Sequence, residues 1–304
     1  MKCTTFTMRW TDFSILALGL AWMVLVCGCD SRLARGDLSP QRSEQQPGLS
    51  SGERDVVRAF SAEEVTNQTG TSTDAKAEVS DQETIDGEPA FNGQPLSKWL
   101  AQLDSANAED RKEALRAISA IGPRAESAIP KVQKLLQDPD ADVQEWACST
   151  LGRIGPSAKV AIPDLEKIIL NRQAADKVRW AAAVALGNIG PEAASATPTL
   201  LKALEDSDPW LRWAATEGLA GIGPQAKGAA VALARALYDS EYIVRIGAAR
   251  ALVHLAPQIP PKGEPLLSLI HCYEDTSQYD SVRHKVAEAI KAVDAKVAAK
   301  LGIK

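Results

Sequence analysis

Aromatic residues are scarce in this sequence. They make up 5% of the 304 residues, and the apolar fraction of 45% is built mostly from Ala, Leu, Ile and Val. Strands of a β-sandwich favour aromatic and β-branched residues, whereas Ala and Leu are strong helix formers. The composition therefore favours a fold in which helices pack on helices.

Residues and motifs that are typical of catalytic or metal-binding sites are also few. There is no CxxC pair and no GxSxG motif, and no nucleophile stands beside a base. The three histidines lack ligand spacing; they are His254, His271 and His284. We predict no metal site, no cofactor and no catalytic residue. Cys148 and Cys272 lie far apart along the chain, and we predict two buried thiols rather than a disulfide.

A surplus of basic residues is missing as well. The formal net charge is -5, and because nucleic-acid-binding domains usually carry a basic excess, we expect no nucleic-acid partner. The acidity belongs to residues 30–90, which hold 13 acidic and 6 basic residues, whereas residues 91–304 hold 25 acidic and 26 basic residues.

Long apolar runs are absent except near the N-terminus. Lys2 and Arg9 precede the apolar run at residues 13–26. This run is shorter than the roughly 20 residues of a membrane-spanning helix, and a short apolar run after basic residues is typical of a secretory signal.

The residues that follow the run, Val26-Cys27-Gly28-Cys29, resemble the lipobox of bacterial lipoproteins. The resemblance implies that residues 1–28 form the signal peptide and that Cys29 receives the lipid. It also implies a membrane-anchored protein of the bacterial cell envelope that faces outside the cytoplasm. The alternatives are an ordinary cleaved signal or an uncleaved anchor, and labelling with radioactive fatty acid distinguishes them.

Residues 29–90 are rich in Ser, Thr, Gln, Glu, Asp and Gly and show no sustained apolar period. Such a segment cannot bury enough apolar surface to offset its loss of conformational entropy. We predict a lipid-anchored, disordered tether at residues 29–90, followed by a folded domain at residues 91–304.

An Ile-Gly-Pro step recurs through the folded domain. The steps from glycine to glycine are 33, 35, 33 and 33 residues, and a period in this range indicates a solenoid. The aligned steps are Ile121-Gly122-Pro123, Ile154-Gly155-Pro156, Ile189-Gly190-Pro191, Ile222-Gly223-Pro224 and the degenerate Leu255-Ala256-Pro257.

The residues before each glycine follow the period of a helix. In the third unit the apolar residues at relative positions 0, 4, 8 and 11 fall on one face, which we predict to be the core; they are Val178, Ala182, Leu186 and Ile189. The glycine then suits a left-handed helix end, and the proline prevents continuation of the helix. A phosphate-binding loop would follow a strand, and no strand pattern precedes these glycines.

The repeated pattern resembles HEAT-like repeats of the phycobilisome-lyase type over about residues 95–300. The resemblance implies an all-α fold, a right-handed α-α superhelix (HEAT-like solenoid) of about six helical pairs.

It also implies that arginines at relative position 1 pair with nearby acids and bridge adjacent repeats. This inter-repeat ladder comprises Arg179, Arg212, Arg245 and Arg283. The acids that precede these arginines in sequence include Asp176, Asp208, Glu241 and Asp280. A stripe that binds phosphate or carboxylate is the alternative role of these arginines.

Trp180, Trp213 and Ile246 share relative position 2, which lies nearly opposite the core face. In HEAT-like solenoids that side of the second helices lines the concave surface. Glu217 and Arg250 lie beside this row. An aromatic row rimmed by charge is typical of a protein-binding surface, and these five residues are our candidates for partner binding. The alternative is that the indoles pack against neighbouring helices.

The leading functional hypothesis is a non-enzymatic interaction or scaffold module. It would be tethered to the membrane through its N-terminal lipid and would bind an unknown protein or peptide on its concave face. One alternative is a bilin-lyase-like enzyme that attaches or detaches a chromophore at a cysteine of a partner, because related repeats occur in such lyases. Another is a purely structural spacer of the envelope.

Overall fold

A computed structural model describes residues 84–304 of the chain. The predicted signal peptide, the lipid acceptor Cys29 and the tether up to residue 83 lie outside the described residues. Among residues 84–304, no helix is both long and apolar enough to cross a membrane.

The described part begins with a small antiparallel sheet that the sequence analysis did not predict. Its strands, in the order β1-β2-β3, are β1 (Thr84–Ile85), β2 (Glu88–Phe91) and β3 (Gln94–Pro95). The sequence analysis assigned residues 84–90 to the tether, but here they belong to the fold: Ala90 is buried, and Trp99 Nε1 donates a hydrogen bond to Phe91 O at 3.3 Å.

Six pairs of helices follow. In each pair a shorter first helix precedes a second helix of 14 residues. The first helices are α1 (Leu96–Gln102), α3 (Ile129–Lys134), α5 (Ile162–Leu170), α7 (Thr197–Ala203), α9 (Ala229–Ala236) and α11 (Glu264–Glu274). The second helices are α2 (Ala108–Ile121), α4 (Ala141–Ile154), α6 (Asp176–Ile189), α8 (Pro209–Ile222), α10 (Tyr242–Leu255) and α12 (Asp280–Val293), and α13 (Ala295–Lys300) ends the stack. The predicted number of helical pairs is confirmed.

Side-chain N-caps begin α2, α4 and α8, and glycines of the Ile-Gly-Pro steps end α2, α4, α6 and α8. The side chain of Asp140 accepts hydrogen bonds from backbone N–H groups in the first turn of α4, which is how an N-cap satisfies donors that lack helical partners. The glycines that end α2, α4, α6 and α8 all have φ between 61° and 82°, which favours glycine. Their ψ values lie between -147° and -134°, outside the left-handed α region that the sequence predicted, so the chain turns away more sharply into the Pro-containing turn. The glycines therefore end helices.

The predicted core face is buried. Val178, Ala182, Leu186 and Ile189 all have 0% of their surface exposed. Cys148 and Cys272 are buried free thiols, so the expectation of no disulfide between them is confirmed. Burial raises the pKa of Cys272 to about 11, with the negative charge of Asp275 acting in the same direction.

The second helices form the more tightly packed layer of the stack. They contact their neighbours over most of their length, whereas successive first helices meet at fewer points. A Cβ atom added at Gly221 of α8 would lie 2.2 Å from Gly187 O of α6, and one added at Gly187 would lie 2.8 Å from Glu217 O. Because the second helices approach each other more closely than the first helices do, we expect the stack to curve towards them, with their outward faces on the concave side.

Because the helices approach closely at Gly221, we predict that adding a side chain there destabilises the fold. At an open helical site, Gly→Ala stabilises by about 0.5–1 kcal/mol. Here the new methyl group would meet the backbone of Gly187, so we expect Gly221→Ala to lower the free energy of unfolding by about 3 kcal/mol.

Urea unfolding followed by circular dichroism measures this change. The control is Ala120→Gly, which alters an exposed residue at the equivalent position of α2 and should cost only about 0.5–1 kcal/mol. A more stable Gly221→Ala variant would show that α6 and α8 do not meet at this point.

Candidate functional site

Three tryptophans meet on the outward face of α6 and α8. The ring centroids of Trp180 and Trp210 are 5.9 Å apart with a tilt of 42°, and those of Trp210 and Trp213 are 6.0 Å apart with an edge-to-face angle of 85°. Both arrangements are favourable for aromatic pairs. All three side chains are partly exposed. We call Trp180, Trp210 and Trp213 the indole triad.

Asp208 holds one end of the indole triad in place. Its Oδ2 accepts a hydrogen bond from Trp180 Nε1 of the preceding repeat. Its Oδ1 accepts one from the backbone N of Trp210 at 3.0 Å, which caps α8. The same carboxylate therefore starts α8 and orients the ring of Trp180, so the position of the indole depends on the packing of two repeats.

Trp210 was not part of the row that the sequence predicted. Trp210 is the second residue of α8, three residues before Trp213, and side chains three apart lie on the same face of a helix. This spacing was a signal that could have identified Trp210. Trp180 and Trp213 occupy equivalent places in successive repeats, and Trp210 contacts both rings.

The other candidates lie beside the indole triad. Ile246 of α10 is partly buried and packs against the hydrophobic core. Glu217 of α8 and Arg250 of α10 form an ion pair between the fourth and fifth repeats, with 15% and 32% of the side-chain surfaces exposed. The structure thus places all five candidates of the sequence analysis on neighbouring second helices.

A network of charged side chains lies on the N-terminal side of the indole triad, on α2, α4 and α6. Lys177 pairs with Asp142 and, at 3.5 Å, with Glu145, and Lys112 lies 3.6 Å from Asp142. Burial raises the pKa of Glu145 above its ordinary value. This network joins three successive second helices and ends at Lys177, three residues before Trp180 on α6.

The arginine ladder bridges repeats at two of its four predicted positions. Arg179 Nη2 pairs with Asp206 at 2.7 Å, and Arg212 pairs with both carboxylate oxygens of Asp239 at 2.8 Å. The bridging acids lie in the turn of the following repeat, not among the acids that precede each arginine. Asp176, for example, lies 4.0 Å from Arg179 within the same helix. Arg111 of α2 makes an equivalent bridge to Asp138.

Arg245 and Arg283 make no ion pair to a following repeat within residues 84–304. Arg245 donates to the carbonyls of Asp239 and Ser240 and lies over the ring of Tyr279, 5.6 Å from its centroid. Arg283 donates to Tyr273 O and lies 3.5 Å from Asp280 of its own helix. Arg111 and Arg212 make similar bonds to carbonyls, so the bonds to carbonyls do not replace the bridge. The ring of Tyr279, in the turn of the next pair, is the inter-repeat partner of Arg245.

No group of three or more His, Cys, Asp and Glu side chains among residues 84–304 is arranged to hold a metal ion. The pKa of His254 is lowered by burial and by the positive charges of Arg250 and Lys285.

The family of the chain follows from its match to the model of HEAT repeats. The match covers residues 96–183 and 162–253, which together span just over half of the chain. The chain therefore belongs to the HEAT-repeat family. A comparison with curated proteins found no match.

Solved structures share the fold. A crystal structure of an engineered protein is 25% identical with a TM-score of 0.50, over 67% of this chain and 97% of that chain. A designed armadillo repeat protein in complex with the peptide (KR)4 is 21% identical with a TM-score of 0.51, over 66% of this chain and 100% of the other. Kap121p is 16% identical with a TM-score of 0.53, over 67% of this chain but only 23% of its own.

These comparisons confirm the predicted class of helical-repeat solenoid. Stacked repeats of this kind create extended surfaces that suit interactions with other proteins, and such folds are typically not catalytic.

The ladder predicts a dependence of stability on pH. Burial tends to raise the pKa of Asp239, but hydrogen bonds from Arg212 and from the backbone of Glu241 outweigh it and leave the pKa below the ordinary 3.8. A carboxyl group with a lowered folded-state pKa stabilises the fold above its unfolded-state pKa. This contribution is therefore complete above about pH 4 and is lost as the pH falls further.

We expect Asp239→Asn to lower the free energy of unfolding by about 2 kcal/mol at neutral pH, because a charge-assisted pair is lost. The difference from the unsubstituted chain should shrink below pH 4, as measured by urea unfolding across a pH series. Asp280→Asn removes a fully exposed carboxylate that lies 3.5 Å from Arg283 of the same helix, and because exposed ion pairs contribute little, it should change the free energy of unfolding by less than about 0.5 kcal/mol. Equal effects of the two substitutions would contradict the role of the ladder.

Proposed function

We propose that this chain is a non-enzymatic interaction module tethered to the membrane. In this proposal the concave face binds a protein or peptide segment, and the indole triad is the centre of the contact. The lipobox-like residues around Cys29 support the tether and a position in the bacterial cell envelope outside the cytoplasm.

The observation that carries the binding proposal is that three contiguous, partly exposed indole rings share one face, where Trp180 and Trp213 also pack against the core. Trp is enriched among the residues that contribute most to protein–protein binding, and such residues cluster at the centre of an interface. The rings are oriented by mutual contacts and by Asp208. Side chains that are already ordered lose less conformational freedom on binding.

The comparison with the designed armadillo repeat protein adds independent support. That protein is described in complex with a peptide, so a solenoid of similar fold holds a peptide.

Photo-crosslinking in cells tests the proposal. A photoreactive residue replaces Val184 or Asn188 on the outward face of α6, or, as a control, Leu267 of α11, which is 55% exposed in the layer of first helices. We expect adducts of defined mass at residues 184 and 188 and none at residue 267. Trp180→Ala combined with Trp213→Ala should remove these adducts.

Thermal unfolding of the double variant separates loss of binding from loss of fold. Trp180→Phe with Trp213→Phe is the conservative comparison, because it keeps an aromatic ring at both positions. A structural spacer predicts no adduct at any of the three sites. Adducts that persist at residues 184 and 188 in the folded double variant would contradict the role of the triad.

A further inference from the structure

The charged residues of the turns differ between the two edges of the solenoid. The turns that join the first helix to the second helix within a pair are acidic. They contain Asp104, Asp138, Asp140, Glu205, Asp206, Asp208, Asp239, Glu241 and Asp275, with Arg172 as the basic residue among them. The turns between pairs pack beside one another along the opposite edge. These turns contain Arg124, Lys159, Lys227 and Lys262, with Glu126 and Glu192 as the acids.

The indole triad lies close to the acidic edge. Trp210 is the second residue of α8, and Trp180 and Trp213 are the fifth residues of their helices. All three therefore belong to the N-terminal turns of the second helices, which follow the acidic turns directly.

Five carboxylates lie on the helices and in the turn around the triad, and we call them the acidic rim. Asp142 and Glu145 lie in the first two turns of α4, which packs against α6, and Asp176, Glu205 and Asp208 lie at or just before the starts of α6 and α8. Asp208 bonds Trp180 directly. Asp176 begins the helix that carries Trp180 and has 68% of its side-chain surface exposed, and Glu205 is exposed in the turn before Trp210.

The nearby cations do not balance the acidic rim. Lys177 is shared between two members of the rim, Asp142 and Glu145. Arg179 pairs with Asp206, outside the rim, at 2.7 Å and lies 4.0 Å from Asp176 of the rim. Lys112 lies 3.6 Å from Asp142 but pairs more closely with Glu109, at 2.6 Å. Arg172 adds to the positive charge that acts on Asp206. The surface around the indoles therefore keeps a negative excess.

We infer that the occupant of the indole triad is a basic peptide segment, with Lys or Arg side chains against the indole faces and the acidic rim. This inference rests on the proposed function. The face of an indole ring carries a negative quadrupole that attracts cations, and the rim supplies charge of the same sign. An acidic partner would be repelled by five carboxylates, and a purely apolar peptide would make no use of them.

The test uses three octapeptides of equal length: four repeats of Lys-Ser, of Glu-Ser and of Leu-Ser. Binding to the full chain is measured by calorimetry at physiological ionic strength, where charges more than about 8 Å apart are largely screened. Two double variants remove the same amount of charge. Asp176→Asn with Glu205→Gln alters the rim, and Glu126→Gln with Glu192→Gln alters the opposite edge.

We expect the Lys-Ser peptide to bind more tightly than the other two. The rim variant should weaken its binding about fivefold, whereas the control variant should change it less than about twofold. Trp180→Leu should also weaken the binding of the Lys-Ser peptide. Equal effects of the two double variants, or equal binding of the Glu-Ser peptide, would overturn the inference.

The peptides also separate this inference from the proposed function. Binding of the Leu-Ser peptide alone, lost in Trp180→Leu, would overturn the basic partner but retain the triad as a binding site. If Trp180→Leu leaves the binding of every peptide unchanged, both the inference and the proposed site are wrong.

Discussion

The direct contact between the backbones of α6 and α8 is the constraint on which the concave surface depends. At Gly187, Gly218 and Gly221 a Cβ atom would lie within 3.0 Å of an atom of the neighbouring helix. Such a contact tolerates no side chain, so the C-terminal halves of the two helices are lined with small residues. The bulky side chains on this face lie instead in the N-terminal turns of the two helices, where the three indoles contact one another.

The same pattern extends to the neighbouring repeats and sets the order of the stack. A Cβ atom at Gly152 of α4 would lie 3.0 Å from the backbone of Ala185 in α6, and one at Gly247 of α10 would meet Thr216 of α8 at 2.2 Å. Van der Waals packing between second helices thus fixes their separation over four repeats. The Arg179–Asp206 and Arg212–Asp239 pairs add a polar bond at the acidic edge, between a helix of one repeat and the turn of the next.

The repetition in the sequence was sufficient to predict the helical pairs. The period of the Ile-Gly-Pro steps, the glycine at each helix end and the buried face of Val178, Ala182, Leu186 and Ile189 depend on local rules of helix geometry and capping. Two local signals were nevertheless missed. Asp86-Gly87 and Asn92-Gly93 are typical hairpin dipeptides, and all four residues have positive φ.

Other features could not be predicted locally, because they depend on contacts between repeats. Asp206 follows Arg179 by 27 residues, so the acids that stand close in sequence were the wrong partners for the bridges. Whether the indoles are exposed or packed depends on the distance between α6 and α8, and the sequence pattern does not determine that distance. The structure gives an intermediate result: the rings pack against each other and remain partly exposed.

The central claim is that a partner binds at Trp180, Trp210 and Trp213, and fluorine NMR of the chain labelled with 5-fluorotryptophan tests it most directly. Signals are assigned by replacing each tryptophan in turn, and spectra are recorded with and without the partner identified by crosslinking. The account predicts that the signals of the indole triad shift on binding, while the signal of Trp99, which is 2% exposed, stays unchanged. Unshifted signals from all three indoles in the presence of bound partner would contradict it.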